Sequence, residues 1–212
     1  MRNTCKTILA LGLIFISLIT MNAQTKPKME NTALLIIDVQ NDYFPGGKME
    51  LEKAEEAAGN ISKVLEYFRK NNLPVVHIQH ISNNGGAAFF LPDTEGAKIN
   101  AMVLPEGNEK VITKHFPNSF RETDLLHYLQ SKKIKNLIIT GMMTDVCVEA
   151  TTRAAFDFGF HNTIIGNATA TRNRELNGTI VKAEEVQKSF LAGICALGNL
   201  YANVMNAEDF LL

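Results

Sequence analysis

Residues 135–159 read KNLIITGMMTDVCVEATTRAAFDFG, and this segment decides the fold. Its first part is an apolar run rich in β-branched residues that ends at Gly141, which predicts a strand buried on both faces of a parallel sheet. Its second part, over 144–159, predicts a helix that ends at Gly159. Cys147 lies where the strand gives way to the helix. A strand that runs directly into a helix is the repeating unit of an α/β fold.

The rest of the chain continues this alternation. Further strands are predicted over 32–40, 73–81, 110–115, 161–166 and 201–206, and further helices over 51–72, 120–133 and 178–198. A long loop over 82–109 interrupts the pattern, and loops of that length tend to carry function. We therefore predict an α/β fold: a single domain with a doubly wound, mostly parallel six-stranded sheet and helices on both faces, a Rossmann-like three-layer arrangement.

The first 23 residues have the pattern of a secretory signal peptide. Two positive charges precede an apolar run, and a small residue, Ala23, lies just before a polar stretch. The alternative is a membrane anchor, but the run is shorter than the roughly 20 residues that a spanning helix needs. We therefore expect a linker over 24–32 and one globular domain over 33–212. We also expect an exported protein, periplasmic or secreted, without stable membrane association once the signal is removed.

Composition narrows the class of partner. The 212 residues carry a formal net charge of −1 and contain no basic block, which argues against nucleic acid as a partner. Beyond the signal only Cys147 and Cys195 remain, so the chain is not a disulfide scaffold despite the predicted export. These features favour a globular protein that acts on a small molecule.

Cys147 has three possible roles. In the first turn of a helix, free N–H groups and a nearby lysine would lower the pKa of its thiol and favour a nucleophilic thiolate. It is otherwise a buried inert side chain, or it forms a disulfide with Cys195. Cys195 lies in the apolar stretch FLAGICALG, which predicts a place in the core.

Two charged residues end predicted strands at the same edge of the sheet as Cys147. Asp38 closes the apolar run TALLIID, and Lys114 closes VITK. Each has an ordinary alternative: Asp38 as a cap or loop anchor, and Lys114 as a side chain extended to solvent. Together with Cys147 they form a chemically sensible set, in which Asp38 accepts the thiol proton, Lys114 stabilises the thiolate and Cys147 attacks a carbonyl.

The segment HIQH (77–80) raises the possibility of a metal site. His77 and His80 are three residues apart on a predicted strand, which places them on opposite faces. They cannot readily bind one ion together, so we predict no metal. His80, at the mouth of the strand, is instead a candidate for the lining of a substrate pocket.

Three segments resemble the isochorismatase-like cysteine hydrolases, the family that includes nicotinamidases, N-carbamoylsarcosine amidases and isochorismatases. They are LLIIDVQNDYFPGG, VITKHFPNSF and TGMMTDVCVEATTRAAFDFGF, in that order. The resemblance implies a catalytic triad of Asp38, Lys114 and Cys147 and a cis peptide bond between Met142 and Met143. It also implies an oxyanion hole formed by the backbone N–H groups of Met143 and Cys147, and assembly into dimers or tetramers.

The implied activity is a metal-independent cysteine hydrolase that needs no cofactor. Its substrate would be a small amide, carbamoyl or ureido compound, cleaved at a C–N bond through a thioester. Phe44, Phe89 and Phe90 are predicted to line the pocket, although ordinary packing in the loops explains them equally well. The metal-binding Asp-x-His pattern of nicotinamidases is missing between the first two motifs. A nicotinamidase-type, ester or lactam hydrolase and a non-catalytic binding protein on this scaffold remain alternatives.

Overall fold

The computed structural model describes residues 29–212, so the predicted signal peptide and most of the linker lie outside the described residues. Six strands form one sheet in the order β3-β2-β1-β4-β5-β8, and every neighbouring pair is parallel. The strands of the sheet are β1 (Thr32–Ile37), β2 (Val75–His80), β3 (Lys110–Lys114), β4 (Asn136–Met142), β5 (His161–Ala170) and β8 (Asn203–Met205). The predicted six-stranded parallel sheet is confirmed.

Helices cover both faces of this sheet. They are α1 (Ala54–Lys70), α2 (Leu125–Ser131), α3 (Glu149–Asp157), α4 (Ala183–Ile194), α5 (Ala196–Asn199) and α6 (Ala207–Leu211). Leu34 and Ile36 of β1 pack in a core with α1 and α6. Leu35 and Ile37 point the other way, into a second core with α2 and α3. Successive side chains of a strand face opposite sides, so a strand between two helical layers is apolar throughout, as the sequence of β1 is.

Helix α1 illustrates how sequence sets an element's limits. Its buried positions include Ala57, Ile61 and Leu65, a spacing of four that keeps them on one face. At its C-terminal end Asn72 adopts a positive φ of 52°, a conformation that asparagine tolerates and that ends helices. The predicted helix over 51–72 is thus confirmed, with limits shifted by two or three residues.

The edge formed by the carboxyl ends of the strands is where the chain reverses its direction of winding. From β1 the chain moves outward to β2 and β3, and it then returns to β4 on the other side of β1. Gly141 allows β4 to pass close to β1: its φ is 119°, and a Cβ there would lie 2.1 Å from the Ile37 carbonyl oxygen. Ligands of doubly wound sheets bind at this kind of switch point.

Three predicted helices differ from the structure. The helix predicted over 120–133 is shorter, since α2 covers only Leu125–Ser131. The predicted helix over 178–198 begins only at Ala183, because residues before it form an antiparallel hairpin of β6 (Arg174–Leu176) and β7 (Thr179–Val181). Its two-residue turn is Asn177–Gly178, both at positive φ, and an Asn-Gly pair is a strong hairpin signal that the helical interpretation overlooked. The predicted helix over 144–159 begins as a π-helical turn, Thr144–Val148, named here the cysteine turn, before α3 continues it.

The remaining differences are at the ends of elements. Strand β5 extends to Ala170, beyond the predicted 161–166, and helix α6 was not predicted. The long loop 82–109 contains short 3₁₀ turns at Glu95–Ala97 and Ala101–Val103. Within residues 29–212 none of the helices has the length and apolar character needed to cross a bilayer.

Candidate active site

Four strand ends bring the candidate residues together. Asp38 follows the last residue of β1 and has a φ of 51°, while His80 and Lys114 are the last residues of β2 and β3. Cys147 lies in the cysteine turn, just beyond β4. Parallel strands end at the same edge, so residues separated by more than a hundred positions become neighbours.

The Lys114 ammonium lies at the centre of the group. Its Nζ is 2.7 Å from Asp38 Oδ2, 3.0 Å from His80 Nδ1 and 3.3 Å from Cys147 Sγ. Because an ammonium only donates hydrogen bonds, His80 Nδ1 accepts here and a neutral ring carries its proton on Nε2. The three predicted residues are therefore in mutual reach, and His80 joins them as a direct partner of Lys114.

The charged groups of this site are buried, so each needs a partner of opposite charge. Asp38 and Lys114 are completely buried, and no described residue gives the Asp38 carboxylate oxygens a hydrogen bond of regular geometry. The ion pair with Lys114 therefore offsets the cost of burying this carboxylate, since an isolated buried charge would be very unfavourable. Burial lowers the pKa of Lys114, but Asp38 and then Cys147 outweigh it and raise the pKa overall. The lysine stays charged.

The cysteine is a neutral thiol at rest. Burial raises the pKa of the Cys147 thiol well above its ordinary value, Asp38 raises it further, and Lys114 opposes both. Lys114 lowers this pKa, as expected, but the net shift is upward, because the side chain is 4% exposed and the loss of hydration dominates. A reaction at this sulfur therefore needs a base, and Asp38 is the adjacent carboxylate.

The same groups bear on the question of a metal. Ligand atoms of Asp38, His80 and Cys147 all lie within 4.8 Å of one another, a spacing that suits a cation. The Lys114 ammonium contacts all three, however, so it already supplies the positive charge at their meeting point. His77 faces the other way and pairs with Glu109 at 2.9 Å. This set fits an ammonium rather than a metal ion, and the absence of a metal stays a prediction.

The cysteine turn is held from outside the triad. The Met142–Met143 peptide bond that precedes it is cis. The Met143 carbonyl accepts hydrogen bonds from the N–H groups of Val146 and Val148, which closes the wide turn. Asp145 forms an ion pair with Arg174, whose Nε lies 2.6 Å from Oδ2. These contacts fix the backbone on which the Cys147 thiol is presented.

An aromatic group stands beside His80. The ring centroid of Phe90 is 6.0 Å from that of His80 and 4.6 Å from that of Tyr43, and Phe89 packs on Phe90 at 4.9 Å. Phe44 is buried in the core on the α1 face, where packing accounts for its place. The role of Phe44, His80, Phe89 and Phe90 as pocket lining stays a prediction.

Two polar residues that sequence reasoning overlooked organise this loop region. Gln40 accepts the His80 N–H at 2.7 Å and donates to the His80 carbonyl at 2.8 Å, so it fixes the end of β2. Asp42 accepts the N–H of Phe90 at 2.7 Å, and a Cβ at Gly96 would lie 2.2 Å from its carboxylate. The available signal was a glutamine and an aspartate following a fully apolar strand, since buried polar groups need partners.

Cys195 does not take part in the site. It is half-buried at the C-terminal end of α4, and both Cys195 and Cys147 are free thiols. The prediction that Cys195 lies in the core is wrong: only one side of α4 packs against the sheet, and its last turn is largely exposed. The disulfide alternative is not present in the structure.

A separate cavity lies nearby. It has a volume of about 590 Å³ and opens between α1, α4, β5 and β8. Asp38, Lys114 and Cys147 do not line it, whereas Gln187 and Thr169 do. The candidate active site is therefore identified by its converging reactive groups rather than by cavity size.

Comparison with known proteins identifies the family of the chain. The family model of the isochorismatase domain matches residues 32–196. The isochorismatase family protein YddQ of Bacillus subtilis is 46% identical over 180 residues, which cover 85% of this chain and 98% of that protein. A secreted isochorismatase effector of Verticillium dahliae is 32% identical over 85% of this chain and 90% of its own length. The crystal structure of an isochorismatase hydrolase from Oleispira antarctica has a TM-score of 0.82 and 42% identity, covering 88% of this chain and 99% of that one.

More distant relatives carry names of defined reactions. A streptothricin hydrolase of Streptomyces noursei is 28% identical over 66% of this chain and 49% of its own length. A ureidoacrylate amidohydrolase of Pseudomonas syringae is 26% identical over 67% of this chain and 71% of its own length. On the domain match and on relatives of nearly equal length, the chain belongs to the isochorismatase family of hydrolases.

Proposed function

We propose that this hydrolase cleaves the C–N bond of a small amide, carbamoyl or ureido compound through a thioester on Cys147. One observation carries the proposal: a single buried ammonium contacts both a carboxylate and the sulfur of a cysteine. That arrangement supplies a base, a nucleophile and a fixed positive charge. Relatives named as amidohydrolase and as streptothricin hydrolase support C–N chemistry on this fold.

The first half of the reaction forms the thioester. Asp38 accepts the Cys147 thiol proton as Sγ attacks the substrate carbonyl carbon, and Lys114 balances the charge on both groups. The carbonyl oxygen becomes an oxyanion, which the N–H groups of Met143 and Cys147 are proposed to hold. Such a donor contributes about 3 kcal/mol in related sites. Asp38 then returns the proton to the nitrogen as the C–N bond breaks, and the amine or ammonia leaves.

The second half regenerates the thiol. Asp38 accepts a proton from water as the water oxygen attacks the thioester carbonyl, and the same amides hold the oxyanion. The C–S bond breaks, the acid is released, and the proton on Asp38 passes to the sulfur. No net charge is gained or lost, and the site returns to a neutral thiol beside an ion pair.

The decisive experiment compares the two cysteines. Wild type, Cys147→Ala and the matched control Cys195→Ala are incubated with a panel of small amides, carbamoyl and ureido compounds, and ammonia release and intact mass are measured. We expect turnover and an acyl adduct on the Cys147 peptide in wild type and Cys195→Ala only. Turnover that survives in Cys147→Ala would refute the proposal. Simple esters are added to the panel, and an acyl adduct that forms from an ester but from none of the amide, carbamoyl or ureido compounds would point to an esterase instead.

We further propose that the protein is exported and processed near Ala23. The support is the charged and apolar pattern of the first 23 residues, together with a relative that is named as secreted. Cell fractionation and the mass of the mature chain test this, with a chain that begins at Gln24 as the control. Retention of the full-length chain in the cytoplasm would contradict it.

A further inference from the structure

Gln187, on helix α4, connects distant parts of the chain to the cysteine turn. Its Oε1 accepts the Thr144 hydroxyl at 2.6 Å. Its Nε2 donates to the Thr169 hydroxyl at 2.7 Å and approaches the carbonyl oxygens of Gly166 and Thr169 at 3.1 and 3.2 Å. One amide therefore makes contacts on both of its ends.

The direction of this amide is determined by its surroundings. The Thr169 hydroxyl donates to the Gly166 carbonyl at 2.8 Å, so it can only accept from Gln187. A flipped amide would direct its oxygen at two carbonyl oxygens. The hydrogen bonds thus form one directed chain, from Thr144 through Gln187 and Thr169 to Gly166.

This series of hydrogen bonds holds the segments on both sides of the cis Met142–Met143 bond. On one side, Thr169 and Ala170 of β5 pair with Gly141 and Met142, beyond an irregularity in the β4–β5 register. On the other side, Thr144 is the first residue of the cysteine turn and is 2% exposed. Gln187 binds the β5 segment and the Thr144 hydroxyl together, so it sets the spacing between strand end and turn.

Gln187 acts on the reacting atoms only through Thr144. The contacts around the Lys114 ammonium are made by other residues, and the ion pair of Asp145 with Arg174 holds the outer side of the turn, where Arg174 is 32% exposed. The Thr144–Gln187 bond lies on the inner side of the turn. Its Thr144 end is buried, whereas Gln187 is half-buried and borders the cavity between α1, α4, β5 and β8.

We propose that Gln187 is a positioning residue that, through the Thr144 hydroxyl, sets the placement of the Cys147 thiol and of the backbone N–H groups beside it. This rests on the proposed function, because it assumes that Cys147 is the nucleophile. Gln187 is not part of the motifs that identified the site, and it reaches the turn from a helix forty residues further along the chain.

The test uses paired variants at the two ends of the bond. Gln187→Met removes the amide at similar size, Thr144→Val removes the hydroxyl at similar shape, and Thr144→Ser retains it. Lys188→Met, on the exposed side of α4, is the matched control. The rate of Cys147 alkylation by iodoacetamide is measured against pH, with kcat and KM on a substrate of the wild type and thermal stability alongside.

We expect Gln187→Met and Thr144→Val each to change the alkylation rate and lower kcat about tenfold with little change in KM, as the loss of one partly buried hydrogen bond predicts. Thr144→Ser should restore most of both. The double variant should be no worse than the more affected single variant, because both remove the same bond. If Gln187→Met does not fold, the Thr144 pair still decides the matter.

Several results would overturn the proposal. They are alkylation profiles of Gln187→Met and Thr144→Val that match Lys188→Met, a loss of thermal stability alone, or effects that multiply in the double variant. The alkylation assay needs no substrate. An altered profile in an enzyme that cleaves no C–N bond would therefore refute the proposed reaction while retaining the role of Gln187.

Discussion

Strand β2 carries two histidines that enter two different charged clusters, one on each side of the sheet. His80 contacts Lys114, beside Asp38 and the Cys147 thiol. His77 contacts Glu109. Burial lowers the pKa of both histidines, to about 4 for His80. The two imidazoles are thus similar, and the difference between the clusters comes from their partners.

The His77 cluster is closed by opposite charges. Arg69 donates two parallel hydrogen bonds to Glu109, at 2.7 and 2.9 Å, and a third to Glu106. Burial raises the pKa of Glu109, but the hydrogen bond from Arg69 and further donors outweigh it and lower the pKa to about 2. Every acid in this cluster has a donor, so the cluster has the character of a structural ion pair.

The Lys114 cluster consists of Lys114, Asp38, His80 and Cys147. It differs from the His77 cluster because it contains a thiol, which has no counterpart there. The raised pKa of Cys147 leaves a proton next to a carboxylate that has only one charged partner. Perturbed groups of this kind mark functional sites more often than fully paired networks do. The comparison teaches that a nucleophilic thiol next to a carboxylate, rather than charge density, distinguishes the candidate active site.

The largest expected effect comes from removing the central ammonium. Lys114→Met leaves the Asp38 carboxylate buried without a partner, so we expect a loss of about 3–5 kcal/mol of stability and loss of activity. The control is Lys110→Met, at the other end of the same strand, β3. It breaks a surface ion pair with Asp124 and should lower the stability by less than about 1 kcal/mol. Urea unfolding measures both. Equal losses in the two variants would remove the distinction between buried and surface pairs.

A smaller effect should follow in the other cluster. Glu109→Gln leaves His77 without a charged acceptor and Arg69 with only the exposed Glu106, and we expect a loss of about 1–3 kcal/mol from the charged hydrogen bonds. Cys147 alkylation and turnover should be unchanged, because Glu109 lies on the other face of the sheet. A drop in alkylation rate comparable to that of Lys114→Met would show that the two clusters are not independent.

The smallest effect concerns pH. A histidine whose folded pKa lies below the unfolded value of 6.5 contributes stability that is complete above pH 6.5 and is lost as pH falls from there to about 4. His80→Gln retains an acceptor for Lys114 and should flatten this decline in the urea midpoint. It should also change the acid side of the Cys147 alkylation profile, whereas His77→Gln should leave that profile unaltered. Identical profiles for the two variants would contradict the division of roles.

The charged residues at the ends of two strands could be predicted, because the signal for each lies in a short stretch of sequence. An aspartate after a fully apolar strand and a lysine after another indicated a site at the carboxyl edge, and the structure brings Asp38, Lys114 and Cys147 within direct contact. The hairpin turn at Asn177–Gly178 was equally local and could have been recognised. The partners of Gln40 and Gln187 could not be assigned in this way, because they lie at least 18 residues away along the chain.

By itself the sequence determined the alternation of strands and helices, the parallel sheet, and the residue types at the strand ends, since these follow from periodicity and turn chemistry over short stretches. Only the tertiary structure decided the direction of the Cys147 pKa shift, the contact of His80 with Lys114, and the connection of Gln187 to Thr144. A pKa depends on how much water the whole fold excludes, and such contacts depend on how distant elements pack. Neither quantity is present in a local pattern.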